Sequence, residues 1–418
     1  MKELIKRHID EPEKLEQLYR QDTNSFTAAF AEIYPELGNT PLSLFWKIRL
    51  SYSKFPEKIR RITLVDIIVL VSSCLFTGFL IKIPAIFNIA GEENFYGKNA
   101  ALIVFFGLTI YAAWINKVTE MKRLMPVLAG FLILTVYVNL LPPIEGSDTI
   151  TLVCLHLPLL LWSIFGIVFI DFDLAENAKR IDFIRYNGDL AIFMAIMVIA
   201  GGILTGITIG LFEAIGINIE KFYFQNVVVI GAVSVPIVAT YIIRYYSVLT
   251  NKIAPVIAGI FSPLVLLTAV VFLGALAISG KNPYKDRDFL IIFNAMLVGV
   301  MAVIVFSISG TSTTKRQKFS EMILFILSII TVVIDVIALS AIFYRLGTFG
   351  ITPNRMAVLG SNIVILVNLI LIIVDLYKVN FRNSSIREVE LTVAKYLPVY
   401  IAWILIVIFA FPMIFGLK

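Results

Sequence analysis

The run LFILSIITVVIDVIALSAIF, residues 324–343, is the clearest indication of the fold class of this chain. It is apolar almost throughout, and its length matches the roughly 20 residues that a helix needs to cross a bilayer. Its one charged residue, Asp335, stands close to the middle. An ionisable side chain at such a depth is costly and usually faces the protein interior or water. The run therefore predicts a membrane-spanning helix that carries one candidate functional residue.

Similar apolar runs recur along the 418 residues, of which 59% are hydrophobic and only 15% are charged. Soluble domains are about 25% charged. The predicted fold class is therefore an all-α, polytopic transmembrane helix bundle with about eleven spans. These spans lie near residues 62–83, 99–116, 124–142, 150–170, 190–212, 226–246, 253–279, 288–308, 319–343, 355–377 and 396–416.

The distribution of basic residues predicts the orientation of the bundle. With eleven spans, 26 of the 35 Lys and Arg residues fall on the side that holds the N-terminus. Positive residues favour the cytoplasmic side, so we expect a cytoplasmic N-terminus and an extracytoplasmic C-terminus. Topology then accounts for the net charge of +6, and we expect no nucleic-acid partner.

Two domains are predicted: a cytoplasmic amphipathic helical segment at residues 1–61 and the transmembrane bundle at residues 62–418. In the first, Thr40-Pro41 signals a helix start, with a capping residue followed by proline at the first helical position. The sequence that follows, PLSLFWKIRLSYSK, mixes large apolar side chains with Lys and Arg. It fits a helix in the cytoplasmic membrane interface, and it fits equally a soluble helix packed on the ends of the bundle.

The chain is poor in metal ligands. It has only two cysteines and two histidines, and Cys74 and Cys154 each lie within an apolar run. These residues cannot form a thiolate or histidine-rich metal centre. No metal and no cofactor is therefore predicted.

A set of polar side chains occurs at similar depths in the predicted spans, in the half of the bilayer away from the cytoplasm. They are Asn139, His156, Asn294, Asp335 and Asn362. One hypothesis is a substrate-binding polar cavity that opens to the outside, with Asp335 as its main charge. The alternative is a set of unrelated hydrogen bonds between helices, which are common in membrane bundles.

The fifth predicted span contains three glycines four residues apart, Gly202, Gly206 and Gly210. Small residues at this spacing lie on one helix face and allow two helix backbones to approach closely. Close helix packing inside the bundle is the expected role of these glycines.

Two connectors on the predicted outer side are unusually charged: NPYKDRDF, residues 282–289, and YRLGTFGITPNR, residues 344–355. In the second, Thr352-Pro353 is again a helix-start signal. A helix N-terminus flanked by guanidinium groups can bind an anion. The residues expected to bind an anionic solute or a lipid headgroup are Arg345, Arg355, Lys285 and Arg287.

A structural role for the same residues is the alternative. In this interpretation the arginines of the second connector pair with Asp286 and Asp288 of the first. The two connectors would then form a clasp between neighbouring helices, with Thr352 and Pro353 starting one of them. The sequence leaves the choice between an anion site and a clasp open.

The two connectors together resemble the uncharacterised bacterial membrane family known as domain of unknown function 4153. The resemblance is most specific over residues 282–377, and the residues that match the family pattern are Tyr344, Arg345, Gly350, Thr352, Asn354 and Arg355. Thr348-Phe349 departs from the pattern, where an acid followed by tyrosine is expected. The resemblance implies a multi-pass protein of the bacterial plasma (inner) membrane and implies no particular activity.

Three classes of function follow from these features. The expected class is a transporter, channel or lipid-handling protein, with membrane lipid and an anionic solute as its partners. A membrane enzyme acting on a lipid-linked substrate is an alternative, although the sequence lacks an HExxH, P-loop or serine-elbow motif. An assembly or sensory subunit of another membrane protein is the third. The sequence predicts neither catalytic residues nor an oligomeric state.

Overall fold

A computed structural model describes residues 1–21, 23–34, 37, 40–53, 63–88, 91–118, 120–214, 217–245, 247–278, 284, 287–310 and 318–417. For a few helical segments, including residues 287–292, only the backbone is described. The chain divides into two compact units, Met1–Thr63 and Leu64–Lys418.

The N-terminal unit is a small helical domain. Its helices are α1 (Lys2–Arg7), α2 (Pro12–Gln21), α3 (Thr23–Ile33) and α4 (Pro41–Ser53). The Trp46 ring of α4 is 1% exposed and lies 5.0 Å from the Phe26 ring, centroid to centroid. Leu44, Phe45 and Ile48 of the same helix are about half exposed. Helix α4 therefore has an apolar face in the core of its own unit and a second apolar face outside it.

The second unit is built from long, apolar helices and a few helices of three to five residues. They are α5 (Leu64–Ile81), α6 (Ile83–Phe87), α7 (Glu92–Ile115), α8 (Met121–Leu140), α9 (Asp148–Phe169), α10 (Asn177–Ala214), α11 (Glu220–Phe222), α12 (Val229–Tyr245), α13 (Ser247–Ile278), α14 (Arg287–Gly310), α15 (Lys318–Phe349), α16 (Pro353–Phe381), α17 (Ile386–Leu405) and α18 (Phe411–Phe415). Single π-helical segments, Tyr223–Val228 and Ile406–Ala410, precede α12 and α18.

Nine helices in the described part of the chain are long and apolar enough to cross a membrane. They correspond to nine of the eleven predicted spans. Helices α13 and α14, at the two other predicted positions, contribute the shorter apolar stretches Phe261–Gly274 and Phe293–Ser309. The structure thus shows a helical bundle with the composition of a multi-pass membrane protein. The count of eleven and the orientation stay predictions.

Two clusters of buried apolar side chains hold this unit together. One joins α7, α8, α9 and α10 around residues such as Phe131, Leu157 and Phe165. The other joins α14, α15, α16 and α17 around Leu297 and Leu369. Helix α10 contributes to both clusters, so it links the two halves of the bundle.

The close helix packing that Gly202, Gly206 and Gly210 predict is not formed among the described residues. A Cβ atom added at any of the three would meet no atom within 4 Å. This part of α10 is mostly exposed, because no described helix covers it. The close approach on α10 occurs instead at Gly188, where an added Cβ would lie 1.9 Å from the Phe306 ring of α14.

Candidate functional site

Asp335 lies near the middle of α15 and is fully buried, with 0% of its surface exposed. Among the described residues, neither oxygen of its carboxyl group has a hydrogen-bond partner. The helix continues six residues beyond the predicted span end at residue 343. Asp335 therefore stands fourteen residues before Phe349, about 21 Å along the helix axis, which is deeper than the sequence predicts.

The hydroxyl groups on the same helix do not serve this carboxyl group. Thr331 Oγ1 donates to the carbonyl oxygen of Leu327 at 2.6 Å. Ser328 Oγ donates to the carbonyl oxygen of Leu324 at 2.8 Å. Both hydroxyl protons are therefore donated to the backbone of α15 and not to Asp335.

Helices α16 and α17 contribute two further polar side chains, Asn368 and Tyr400, to the middle of the bundle. Asn368 is fully buried, and its Nδ2 donates to the phenol oxygen of Tyr400 at 2.9 Å. The Asn368 Oδ1 atom is buried without a partner among the described residues. The carboxyl group of Asp335 is near enough to Tyr400 to act electrostatically on its phenol group. We call Asp335, Asn368 and Tyr400 the central polar cluster.

The hairpin of α15 and α16 sets the depth of this cluster. Three residues separate the end of α15 at Phe349 from the start of α16 at Pro353. Asp335 is fourteen residues before that end, and Asn368 is fifteen residues after that start. In two antiparallel helices with a short connection, these positions lie at nearly the same depth, about 21 Å from the turn.

The predicted polar layer is divided among separate sites. Asn362 Nδ2 donates to Asn294 Oδ1 at 2.9 Å, which brings together two of its members. Asn139 bonds to Asn99 instead, and His156 Nδ1 lies 2.9 Å from the carbonyl oxygen of Leu152 in its own helix. The interhelical hydrogen bonds of the alternative interpretation therefore account for the asparagines of the layer.

The turn between α15 and α16 is built as the helix-start signal predicts. Thr352 caps α16, its Oγ1 accepting from the backbone N–H of Arg355 at 3.4 Å, and Pro353 is the first helical residue. The Arg355 guanidinium donates to the carbonyl oxygens of Phe349 and Gly350 at 2.8 and 2.6 Å. Gly350 has φ +79°, a conformation that favours glycine. Arg355 thus ties the end of α15 to the start of α16.

Arg345 lies near the Phe349 ring, as Arg355 does. The guanidinium carbons of Arg345 and Arg355 are 5.6 and 5.7 Å from the ring centroid, within the range of cation–π attraction. The Nη1 atom of Arg345 is buried and has no acceptor among the described residues. An anion or a carboxylate would satisfy this group.

The first charged connector reaches the same end of the bundle. The Tyr284 ring lies 5.6 Å from the Tyr344 ring, centroid to centroid, and its hydroxyl is 3.2 Å from Ser340 Oγ. Lys285 and Asp286 lie outside the described residues. Of Arg287 and Asp288, which begin α14, only the backbone is described. The choice between clasp and anion site therefore stays open.

The opposite end of the bundle carries a network of ion pairs. The Nη2 atom of Arg185, on α10, lies 2.5 Å from Oε1 of Glu390, on α17, and the Glu390 side chain is only 4% exposed. The Nε atom of Arg185 donates to the carbonyl oxygen of Ser309 on α14 at 2.5 Å. In the connection before α10, a hydrogen bond from Lys179 lowers the pKa of Asp173 below its ordinary value. This end is the one that the sequence predicts to be cytoplasmic.

Sequence reasoning missed the amide and the phenol of the central polar cluster. Asn368 stands within the predicted span 355–377, six residues after Asn362, and is as rare a residue there as Asn362 is. Asp189, a half-buried carboxylate of α10, was missed because it lies one residue before a predicted span. Asn368 and Asp189 can be found in the sequence if every polar residue in or next to a predicted span is considered.

The central polar cluster contains oxygen atoms of one carboxyl, one amide and one phenol group, a kind of ligand that hard cations prefer. Asp335 and Asn368 are fully buried. Among the described residues, no group of three or more His, Cys, Asp and Glu side chains could hold a metal ion. One carboxyl group with neutral oxygens suits a monovalent cation or a proton better than a transition metal.

No family model, no curated protein and no solved structure matches this chain. The resemblance of residues 282–377 to a family therefore stays a prediction from the two connectors. The described helices establish the broader conclusion by their length and composition: this chain has the architecture of an integral, multi-pass membrane protein.

Proposed function

We propose that this membrane protein is a cation-coupled transporter in which Asp335 is the cation-binding residue. The membrane is proposed to be a bacterial plasma membrane, as the family resemblance implies. The observation that carries the proposal is the buried carboxyl group of Asp335, to which no described residue donates a hydrogen bond.

The energetics of burial give this observation its weight. An ionised carboxylate taken out of water without donors or a counter-ion is strongly destabilised. The site is therefore compatible with two states of Asp335: protonated and neutral, or ionised with a cation or water beside it. Because these two states require different surroundings, the residue can couple cation binding to a conformational change.

The hydrogen bonds of other amide side chains in the bundle support this interpretation. Asn116 donates to the carbonyl oxygens of Val168 and Phe169, both at 3.1 Å, and Asn362 donates to Asn294. These side chains serve as links between helices. The central polar cluster differs, because three of its oxygen atoms are buried without donors among the described residues. Buried groups left unsatisfied in this way lower stability, so a function explains them better than packing does.

The basic residues near the α15–α16 turn favour an anion as the transported solute. Arg345 has an unpaired buried N–H, and the connector with Lys285 and Arg287 meets the same end of the bundle through Tyr284. Movement of an anion together with a cation would keep the transport step close to electrical neutrality.

The test is uptake by vesicles that contain the purified protein and a trapped pH-sensitive dye. Inward gradients of inorganic phosphate or of short carboxylates are imposed, with sodium or choline as the counter-ion. Wild type is expected to couple uptake of one of these anions to a proton or sodium flux, and Asp335→Asn to abolish it. Asp189→Asn is the matched control, since it removes a second membrane carboxylate. Equal uptake by Asp335→Asn and wild type would refute the proposal.

A further inference from the structure

A cavity lies between α5, α6, α7 and α8, in a part of the membrane unit that does not include Asp335. Its volume is about 520 Å³, within the ~300–1,000 Å³ of typical small-molecule sites. Its lining is apolar except for three side chains, Asn99, Thr135 and Asn139, which come from α7 and α8.

The cavity is open on the side of α8. Leu128 and Leu132, which line it, are 38% and 65% exposed. In a multi-pass membrane protein, an exposed apolar helix face contacts acyl chains. The cavity is therefore reached from the lipid, and its polar side chains lie near the end of α8 at Leu140. A ligand would have its polar group close to the membrane surface and its apolar part deeper in the bilayer.

The two asparagines have used all their hydrogen-bond donors. Asn99 Nδ2 donates to the carbonyl oxygen of Phe95 and to Asn139 Oδ1. Asn139 Nδ2 donates to the carbonyl oxygen of Thr135 and to Asn99 Oδ1. The bonds to the backbone fix which amide atom is nitrogen. Each amide has two N–H groups and two acceptor positions on its oxygen, so only acceptor capacity remains.

Thr135 has likewise used its only side-chain hydrogen-bond donor. Its hydroxyl donates to the carbonyl oxygen of Phe131 at 2.7 Å, which leaves its oxygen as an acceptor. All three polar side chains of the cavity therefore present acceptors and no free donor. A carboxylate or phosphodiester group, which also has only acceptors at neutral pH, would be repelled there.

We propose that this cavity binds a single-chain neutral lipid with a hydroxyl group at its head. The hydroxyl donates to the spare acceptors of Asn99 and Asn139, and the chain lies along the apolar wall. Two lysines adjoin lining residues in the sequence, Lys82 beside Ile83 and Lys98 beside Asn99, and neither lines the cavity. They donate to the carbonyl oxygens of Gln225 and Leu141 at 3.0 and 2.6 Å.

The proposal is tested by photolabelling the full-length protein in lipid nanodiscs with a diazirine derivative of oleyl alcohol. Mass spectrometry of peptides is expected to place the label in α7 and α8. Thr135→Phe, which fills the polar end of the cavity from an exposed position, should remove this labelling. Ile133→Phe is the matched control, because Ile133 is 62% exposed on the same helix and does not line the cavity. Equal labelling of these two variants would overturn the proposed site.

Competition experiments test the chemistry of the head group. Unlabelled oleyl alcohol is expected to compete at a roughly ten-fold lower concentration than methyl oleate or oleate, as one hydrogen bond predicts. In Asn139→Leu the label should stay in the cavity while the preference for the alcohol falls. Equal competition by methyl oleate, or stronger competition by oleate, in wild type would refute the proposed selectivity.

Discussion

The side chains of Asn368 and Tyr400 join α16 to α17 in the middle of the bundle, the amide nitrogen donating to the phenol oxygen at 2.9 Å. Since the phenol oxygen accepts this bond, its own proton is left for another acceptor. The carboxyl group of Asp335 acts electrostatically on that phenol. The pair therefore supplies polar groups at the depth of a fully buried carboxyl group of α15.

Replacement of Asp335 by leucine should increase stability while it abolishes transport. The substitution removes two buried oxygen atoms without donors, a gain of about 1–3 kcal/mol in the free energy of unfolding. Thermal unfolding in detergent micelles, followed by tryptophan fluorescence, measures the change. A large loss of stability would show instead that the carboxyl group holds the helices together.

Replacement of Gly360 by alanine should destabilise the bundle. An added Cβ would lie 1.9 Å from the Trp403 ring, whose Nε1 donates to Ser361 Oγ at 3.0 Å and so holds the ring in place. Overpacking of this kind costs about 1–3 kcal/mol. Gly202→Ala is the control: open space surrounds it, and alanine should stabilise the helix by roughly 0.5–1 kcal/mol. The opposite order of the two unfolding midpoints would contradict the packing described here.

Loss of the Arg185 side chain should be costly, because it leaves the buried Glu390 without its cation. Arg185→Met is expected to lower the free energy of unfolding by about 3 kcal/mol. Much of this should return in the double variant Arg185→Met, Glu390→Leu, which removes both charges. Arg123→Met, at the exposed pair with Glu120, should cost ~0–1 kcal/mol. No recovery in the double variant would argue against a direct pair.

Arg355 should act as a local cap of the α15–α16 turn. Arg355→Ala removes the donors to Phe349 and Gly350, at an expected cost of about 1–3 kcal/mol. The double variant Arg355→Glu, Asp288→Arg distinguishes a cap from a clasp between the two connectors. Restored stability in that double variant would support the clasp, whereas a continued loss supports the cap.

The sequence predicts the helices of the membrane unit well and their partners poorly. Apolar length locates α15, and Thr352-Pro353 gives the start of α16, because both signals are local. The partner of Asn139 is Asn99, from the start of α7, and nothing local distinguishes Asn99 from Asn294 as a partner. The glycines of α10 show the same limit. Spacing identifies a face that could pack closely, but only the fold determines whether another helix covers that face.

Cation binding at Asp335 is tested by labelling with N,N′-dicyclohexylcarbodiimide, which reacts with protonated carboxyl groups in apolar surroundings. Intact-mass and peptide analysis of wild type should place the label on Asp335, with a rate that falls as pH rises or as sodium ion replaces choline. Asp335→Asn should lose that label and Asp189→Asn should retain it. Wild-type protein that is never labelled at Asp335, or labelled at a rate that neither pH nor sodium changes, would contradict cation binding at this residue.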